Sequence, residues 1–283
     1  MKTIFRTVLD VVWYLMLFVL IQLMAMKVVN LGTLLVHDMD FQEALRYTAK
    51  HTMLDTTAVI LSSGLSSVLT MLIFGGFKWV PLSRSYVQSR PWGTLFWVVL
   101  LSLGTLIPST WMIEQLEIDV PSGVERMLMA LLGSPWGYLV VGVLTPIAEE
   151  MVFRGAILRT LRKSFQQTTA WIPIALSALI FGLAHGNFAQ FLHAFLMGLL
   201  LGWMYVRTNS IIPGVVFHWI NNSSVFILYN VMPQTANLRL VEVFGGSQGA
   251  GGVSFFTFVC YEKFERMLKL HSFVFVLLNI IYS

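Results

Sequence analysis

The sequence predicts an all-α fold, a polytopic bundle of membrane helices, and three observations carry that prediction. Of 283 residues, 57% are apolar and only 11% are charged. Soluble domains carry about 25% charged residues, so this chain lacks the polar surface that water requires. Mean hydropathy is +0.75. Finally, the apolar residues gather into runs of about 20, the length that crosses a bilayer as a helix. Roughly ten-residue segments of alternating polarity, the signature of a transmembrane barrel, do not occur.

Taken in order, the expected spans are 8–29, 53–77, 92–113, 135–158, 171–186, 188–206, 211–231 and a weaker one at 252–261, about eight in all. Lys2 and Arg6 precede the first apolar run as they would in a signal peptide. The run exceeds an ordinary signal core and no small-x-small site follows it, so it reads as an uncleaved helix. Loop charge sets the orientation. With the N-terminus cytoplasmic, twelve Lys and Arg fall on the inner side, among them Lys78, Arg84, Arg159, Arg162 and Lys163. Five fall outside: Lys27, Arg46, Lys50, Arg126 and Arg239. That asymmetry follows the positive-inside rule and accounts for the net charge of +4 without nucleic acid. Beyond the glycine-rich stretch that precedes Val253, "VSFFTFVC" is short for a span, and the tail reads as a short tilted helix or an interfacial segment. Small residues four apart, Gly198–Gly202 and Ser63–Ser67, predict close packing between helices. Cys260 is the only cysteine, which excludes intrachain disulfides and cysteine-rich metal sites.

Against this apolar background a few polar groups stand out. "TPIAEEMVFRGAIL" places Glu149, Glu150 and Arg154 within six residues of one span. Ionisable groups inside a bilayer are expensive and mark function unless they pair. Glu150 and Arg154 stand at i and i+4 and can pair on one helix face. Glu149 points about 100° away and is poorly placed for Arg154, which makes it a candidate general base. In "FGLAHGN", His185 ends the next helix, and in "FHWINN", His218 and Asn222 share a face at i and i+4. Three spans thereby bring a base, an imidazole and two donors for an oxyanion, the parts needed for water to attack a carbonyl. H-E-x-x-H does not occur, which removes the zincin route. His193 has no partner at a telling spacing and reads as structural or supporting; Asp55 reads as an interfacial residue, and His37, His51 and His271 carry no signal.

Set together, Glu149-Glu150-x-x-x-Arg154, Phe181-x-x-x-His185 and His218-x-x-x-Asn222 resemble the motifs of the CAAX-protease and bacteriocin-processing family, which includes the type II CAAX prenyl endopeptidases. The resemblance covers roughly residues 126–231. It implies that Glu149 activates water, that His185 positions it or passes its proton, and that His218 and Asn222 bind the oxyanion. Glu150 and Arg154 would hold the geometry. It also implies a single integral membrane domain over 1–283, with a catalytic core at 126–231, variable spans at 1–125 and a tail at 232–283.

The expected function is therefore an intramembrane endopeptidase of the cell membrane, cutting a membrane-anchored protein or peptide near its C-terminus. Glutamate-activated water and no cofactor are expected. The alternative chemistry is zinc held by Glu149, His185 and His218, although three separate helices offer no compact ligand motif. The alternative functions are a non-catalytic immunity factor or scaffold, and a small transporter, for which the repeat that transporters show is missing. The sequence leaves the substrate and the oligomeric state open.

Overall fold

In the computed structural model, residues 2–51, 55–81, 83–115 and 121–231 are described, and every regular element among them is helical. The expected span at 252–261 lies outside the described residues. Each of the other seven expected spans is matched by a helix. These are α1 (Lys2–Val36), α3 (Thr56–Gly76), α5 (Trp92–Gln115), α7 (Pro135–Ser164), α8 (Trp171–Ala184), α9 (Phe188–Thr208) and α10 (Ile212–Val231). Three further helices lie in the connections, α2 (Phe41–Lys50), α4 (Arg84–Gln88) and α6 (Ser122–Leu132).

By length and apolarity alone, Ile4–Val36 of α1, together with α3 and α9, is able to cross a membrane. The pair α6–α7, bent by 103°, qualifies as a fourth span if taken as one. α8 and the Trp92–Leu106 part of α5 are apolar but shorter. α10 holds His218, Asn221, Asn222, Ser223 and Ser224 in its middle, and these polar groups keep its hydropathy down.

Local chemistry sets the helix ends. The Asp40 carboxylate caps α2 by accepting from the Gln42 and Glu43 amides. Lys27 of α1 closes the other end of α2, donating to the carbonyls of Thr48 and His51, where a cation also suits the helix dipole. Asp55 is the N-cap of α3, accepting from Ala58 N at 2.7 Å. Between α8 and α9 the chain reverses at Gly186, whose φ of +72° a side chain would disfavour. Asn187 then caps α9, accepting from Gln190 N at 3.0 Å.

α7 is the centre of the bundle. Its residues Val152 to Leu158 are all buried, so the helix is enclosed on every side. One core joins it to α1, α3 and α8 through Phe18, Phe74, Phe153 and Phe181. A second joins it to α5, α9 and α10 through Leu101, Leu158, Leu201 and Phe217. The predicted small-residue contact is real: a Cβ on Gly198 would lie 3.0 Å from Ala178, and one on Gly202 would lie 3.0 Å from Ile174, so α9 rides directly on α8. On α3 the serines Ser62, Ser66 and Ser67 are buried, and Ser67 reaches Thr145 of α7 at 3.4 Å.

The two ends of the bundle differ in the way the loop charges predict. Thr7 hydrogen-bonds Ser164, and Arg159 Nη1 donates to Trp79 O at 3.2 Å. The start of α1, the loop after α3 and the basic end of α7 therefore share one end. Val59, Leu131 and Val140 pack together at the other, beneath the α6–α7 bend.

Candidate active site

α7 is not a uniform α-helix. It runs π-helically over Leu139–Leu144, turns α-helical over Thr145–Glu150, and is π-helical again over Met151–Leu158. Such i→i+5 stretches are uncommon and gather at functional sites. Both glutamates lie in the short α-helical insert, between the two wide stretches. The first wide stretch has a chemical result. Thr145 N–H bonds Val140 O, five residues back. The next carbonyl, that of Val141, would need the N–H of Pro146, and proline has none.

Asn222 of α10 takes up that carbonyl, its Nδ2 donating to Val141 O at 2.9 Å. Asn222 Oδ1 in turn accepts from Asn221 Nδ2 at 3.1 Å. The amide is held at both ends, so its orientation is fixed. An amide nitrogen carries two protons, and the second N–H of Asn222 remains for another acceptor.

Glu150 and Arg154 pair as their spacing predicts, at 2.8 Å between Oε1 and Nη1, with side chains 0% and 1% exposed. Arg154 Nη2 donates to Gly198 O at 3.4 Å, and the guanidinium lies 4.4 Å from the centroid of the Phe181 ring. Glycines make room for this pair. A Cβ at Gly214 would stand 2.6 Å from Glu150 Oε2, and one at Gly198 would stand 3.4 Å from Arg154 Nη2.

His218 lies between the two glutamates. Its Nε2 is 3.7 Å from Glu149 Oε2 and its Nδ1 is 3.5 Å from Glu150 Oε1. Both distances are long for a hydrogen bond, so packing holds the ring in this state. Glu149 is 16% exposed and His218 4%, so Glu149 is the member of this group nearest to solvent. His185 stands apart from that group. It caps α8 and turns Nδ1 to Phe181 O at 2.9 Å. Phe181 connects it to the rest, because the rings of His185 and His218 both meet Phe181 nearly at right angles, with centroids 5.0 and 6.1 Å away.

The structure thus brings Glu149, Glu150, Arg154, His218 and Asn222 together and leaves His185 across one phenyl ring. Zinc on Glu149, His185 and His218 would require those three to converge. Among the described residues no group of three or more His, Cys, Asp or Glu side chains gathers so as to hold a metal ion.

Two residues beside the site lie outside the set the motifs single out: His193, whose spacing marks it only as structural or supporting, and Asn221, which no motif marks. His193 and Asn221 line a cavity next to Phe217, and His193 is within electrostatic reach of both His185 and His218. The available signal was helical phase: His193, Met197 and Leu200 repeat at i, i+4 and i+7, and Asn221 lies four residues after Phe217.

Residues 131–224 match the family model described as Type II CAAX prenyl endopeptidase Rce1-like. The chain is 28% identical over 119 residues to "Membrane-embedded CAAX protease MroQ" of Staphylococcus aureus (strain USA300), across 41% of this chain and 48% of that protein. It is 27% identical over 104 residues to "Putative membrane peptidase YdiL" of Bacillus subtilis (strain 168), across 37% of this chain and 41% of that protein. The match therefore spans less than half the length of either relative. No solved structure matches. The segment that carries Glu149, His185, His218 and Asn222 is therefore similar, over residues 131–224, to the Type II CAAX prenyl endopeptidase Rce1-like family, and it lies within a multi-pass membrane protein.

Proposed function

We propose that this chain is an intramembrane endopeptidase that hydrolyses a peptide bond of a membrane-anchored protein or peptide with glutamate-activated water. The observation that carries the reading is Glu149 facing His218 at 3.7 Å, with the Glu150–Arg154 pair buried behind them. Glu149 takes the proton of the attacking water, and its partial exposure gives that water a way in. As the tetrahedral intermediate forms, negative charge collects on the former carbonyl oxygen, where His218 and the free N–H of Asn222 donate to it. Glu149 then passes its proton to the leaving amine and the C–N bond breaks. His185 assists from across Phe181, holding the water or relaying its proton. Glu150 and Arg154 are positioning residues, because Glu150 Oε1 faces both Arg154 and His218 Nδ1.

In this reading 126–231 is the catalytic core, 1–125 supplies variable spans, and no metal takes part. C-terminal processing of a membrane-anchored substrate is the expected use, in keeping with a relative named as a CAAX protease.

The test is peptide cleavage by protein stripped of metal, with metal content measured on the same sample. Full activity at negligible metal and a loss of about 10²–10⁴-fold in Glu149→Gln support the reading. Activity that tracks bound zinc overturns the glutamate mechanism. A Glu149→Gln protein that cleaves as well as the unaltered chain overturns Glu149 as base.

A further inference from the structure

Beside the site lies a cavity of about 230 Å³ between α5, α9 and α10. Leu196, Met197, Leu200 and Phe217 supply its apolar wall, and Thr105, Ser109, His193 and Asn221 its uncharged polar part. Glu149, His185 and His218 do not line it, so the water chemistry leaves this space unexplained.

We infer that the cavity is the subsite for one large, uncharged side chain, that of the substrate residue whose carbonyl is attacked, with Leu200 and Phe217 setting its size limit. The inference rests on the proteolytic reading above. Three observations carry it, the first being size. A dry cavity of about 150 Å³ binds benzene, so this one holds about nine non-hydrogen atoms. That is enough for leucine, methionine or phenylalanine and too little for a long lipid chain.

The second is chemistry. No Lys, Arg, Asp or Glu lines the space. A charged side chain would lose its hydration there with no counter-charge in return. The third is placement. Phe217 and Asn221 directly precede His218 and Asn222 in the chain, and Asn221 is bonded to Asn222 at 3.1 Å. A carbonyl oxygen held by Asn222 has its own Cα two bonds away, so the side chain on that Cα is the part of the substrate closest to Asn221.

The test uses unlipidated peptides identical except at the residue before the cut, which is Gly, Ala, Leu, Met, Phe, Asp or Lys. The unaltered protein is expected to favour Leu, Met or Phe over Asp and Lys by at least about tenfold in kcat/KM, the effect of about 1.4 kcal/mol. Leu200→Trp fills the cavity and should lower the Phe-to-Ala ratio of kcat/KM by about tenfold. Phe217→Ala enlarges it and should raise that ratio, and Leu196→Phe gives a second filled variant should Leu200→Trp not fold. Because ratios on one sample are compared, a general loss of folded enzyme does not imitate the effect. Cleavage with ratios unmoved by filling and by enlarging overturns the subsite and leaves proteolysis standing. If the unaltered protein cuts none of the peptides, proteolysis itself falls, and the subsite with it.

Discussion

Gly214→Ala is a small change with a sharp expectation. On propensity alone, alanine in a helix is more stable than glycine by about 0.5–1 kcal/mol, so the substitution should help α10. Here the new methyl would stand 2.6 Å from Glu150 Oε2 and 3.3 Å from its Cδ. An ordinary carbon–oxygen contact is about 3.3–3.6 Å, so the carboxylate must retreat by about 0.7–1 Å. It has little freedom to do so, being fully buried and bonded to Arg154 at 2.8 Å. Overpacking costs about 1–3 kcal/mol, and weakening a buried pair adds to that, for a net loss of about 2–4 kcal/mol. The same retreat carries Glu150 Oε1 away from His218 Nδ1, so turnover should fall together with stability. Thermal unfolding in detergent and peptide cleavage are measured on one preparation. Glu150→Asp shortens the side chain by one methylene. In the Gly214→Ala/Glu150→Asp double variant the two losses should therefore be less than additive. A Gly214→Ala protein that melts no lower than the parent and cleaves normally would refute the packing argument outright.

Arg154→Ala removes one partner of a buried pair and should cost about 3–5 kcal/mol, read as poor yield and early melting. Arg154→Lys should rescue only part of this, since an ammonium cannot span Glu150 Oε1 and Gly198 O while lying flat on Phe181. Asn222→Ala should lower turnover by about 10²–10³-fold through loss of an oxyanion donor, and should also cost about 1–3 kcal/mol of stability because Val141 O loses its partner. Pro146→Ala restores an N–H that competes with Asn222 for Val141 O, and a loosened donor should lower kcat by about tenfold or more. Lys27→Met removes the charged end-cap of α2 and should weaken that helix by about 0.5–1.5 kcal/mol. The readout is faster hydrogen exchange confined to 41–50, with α1 and α3 unchanged.

Much of this architecture could be read from composition. Runs of apolar residues long enough to cross a bilayer have one structural outlet, so seven helices fell where the runs are. The connecting helices were less visible, because α2 depends on Asp40 and Lys27 at its two ends more than on its own pattern. The pairing of Glu150 with Arg154 follows from spacing alone. The placement of Glu149 against His218 does not, for it depends on how α10 crosses α7, which no local pattern encodes. The π-helical stretches were equally hidden, since nothing in "LVVGVL" or "MVFRGAIL" sets a wider hydrogen-bond pattern apart from a narrower one. Asn221 stayed hidden, and His193 kept only a supporting reading, because a cavity is a property of three helices at once.

The grip of Asn222 on Val141 O has an evolutionary consequence. A backbone carbonyl persists whatever side chain position 141 carries, so substitution there cannot remove the acceptor. The residue that keeps the acceptor available is Pro146, and the contact it protects is made by other atoms. Across descendants of this helix, positions 146 and 222 should therefore change together, although the bond that links them belongs to neither proline nor its side chain. A correlation of that kind would look like direct contact in an alignment, and its source would be an amide hydrogen that proline never had.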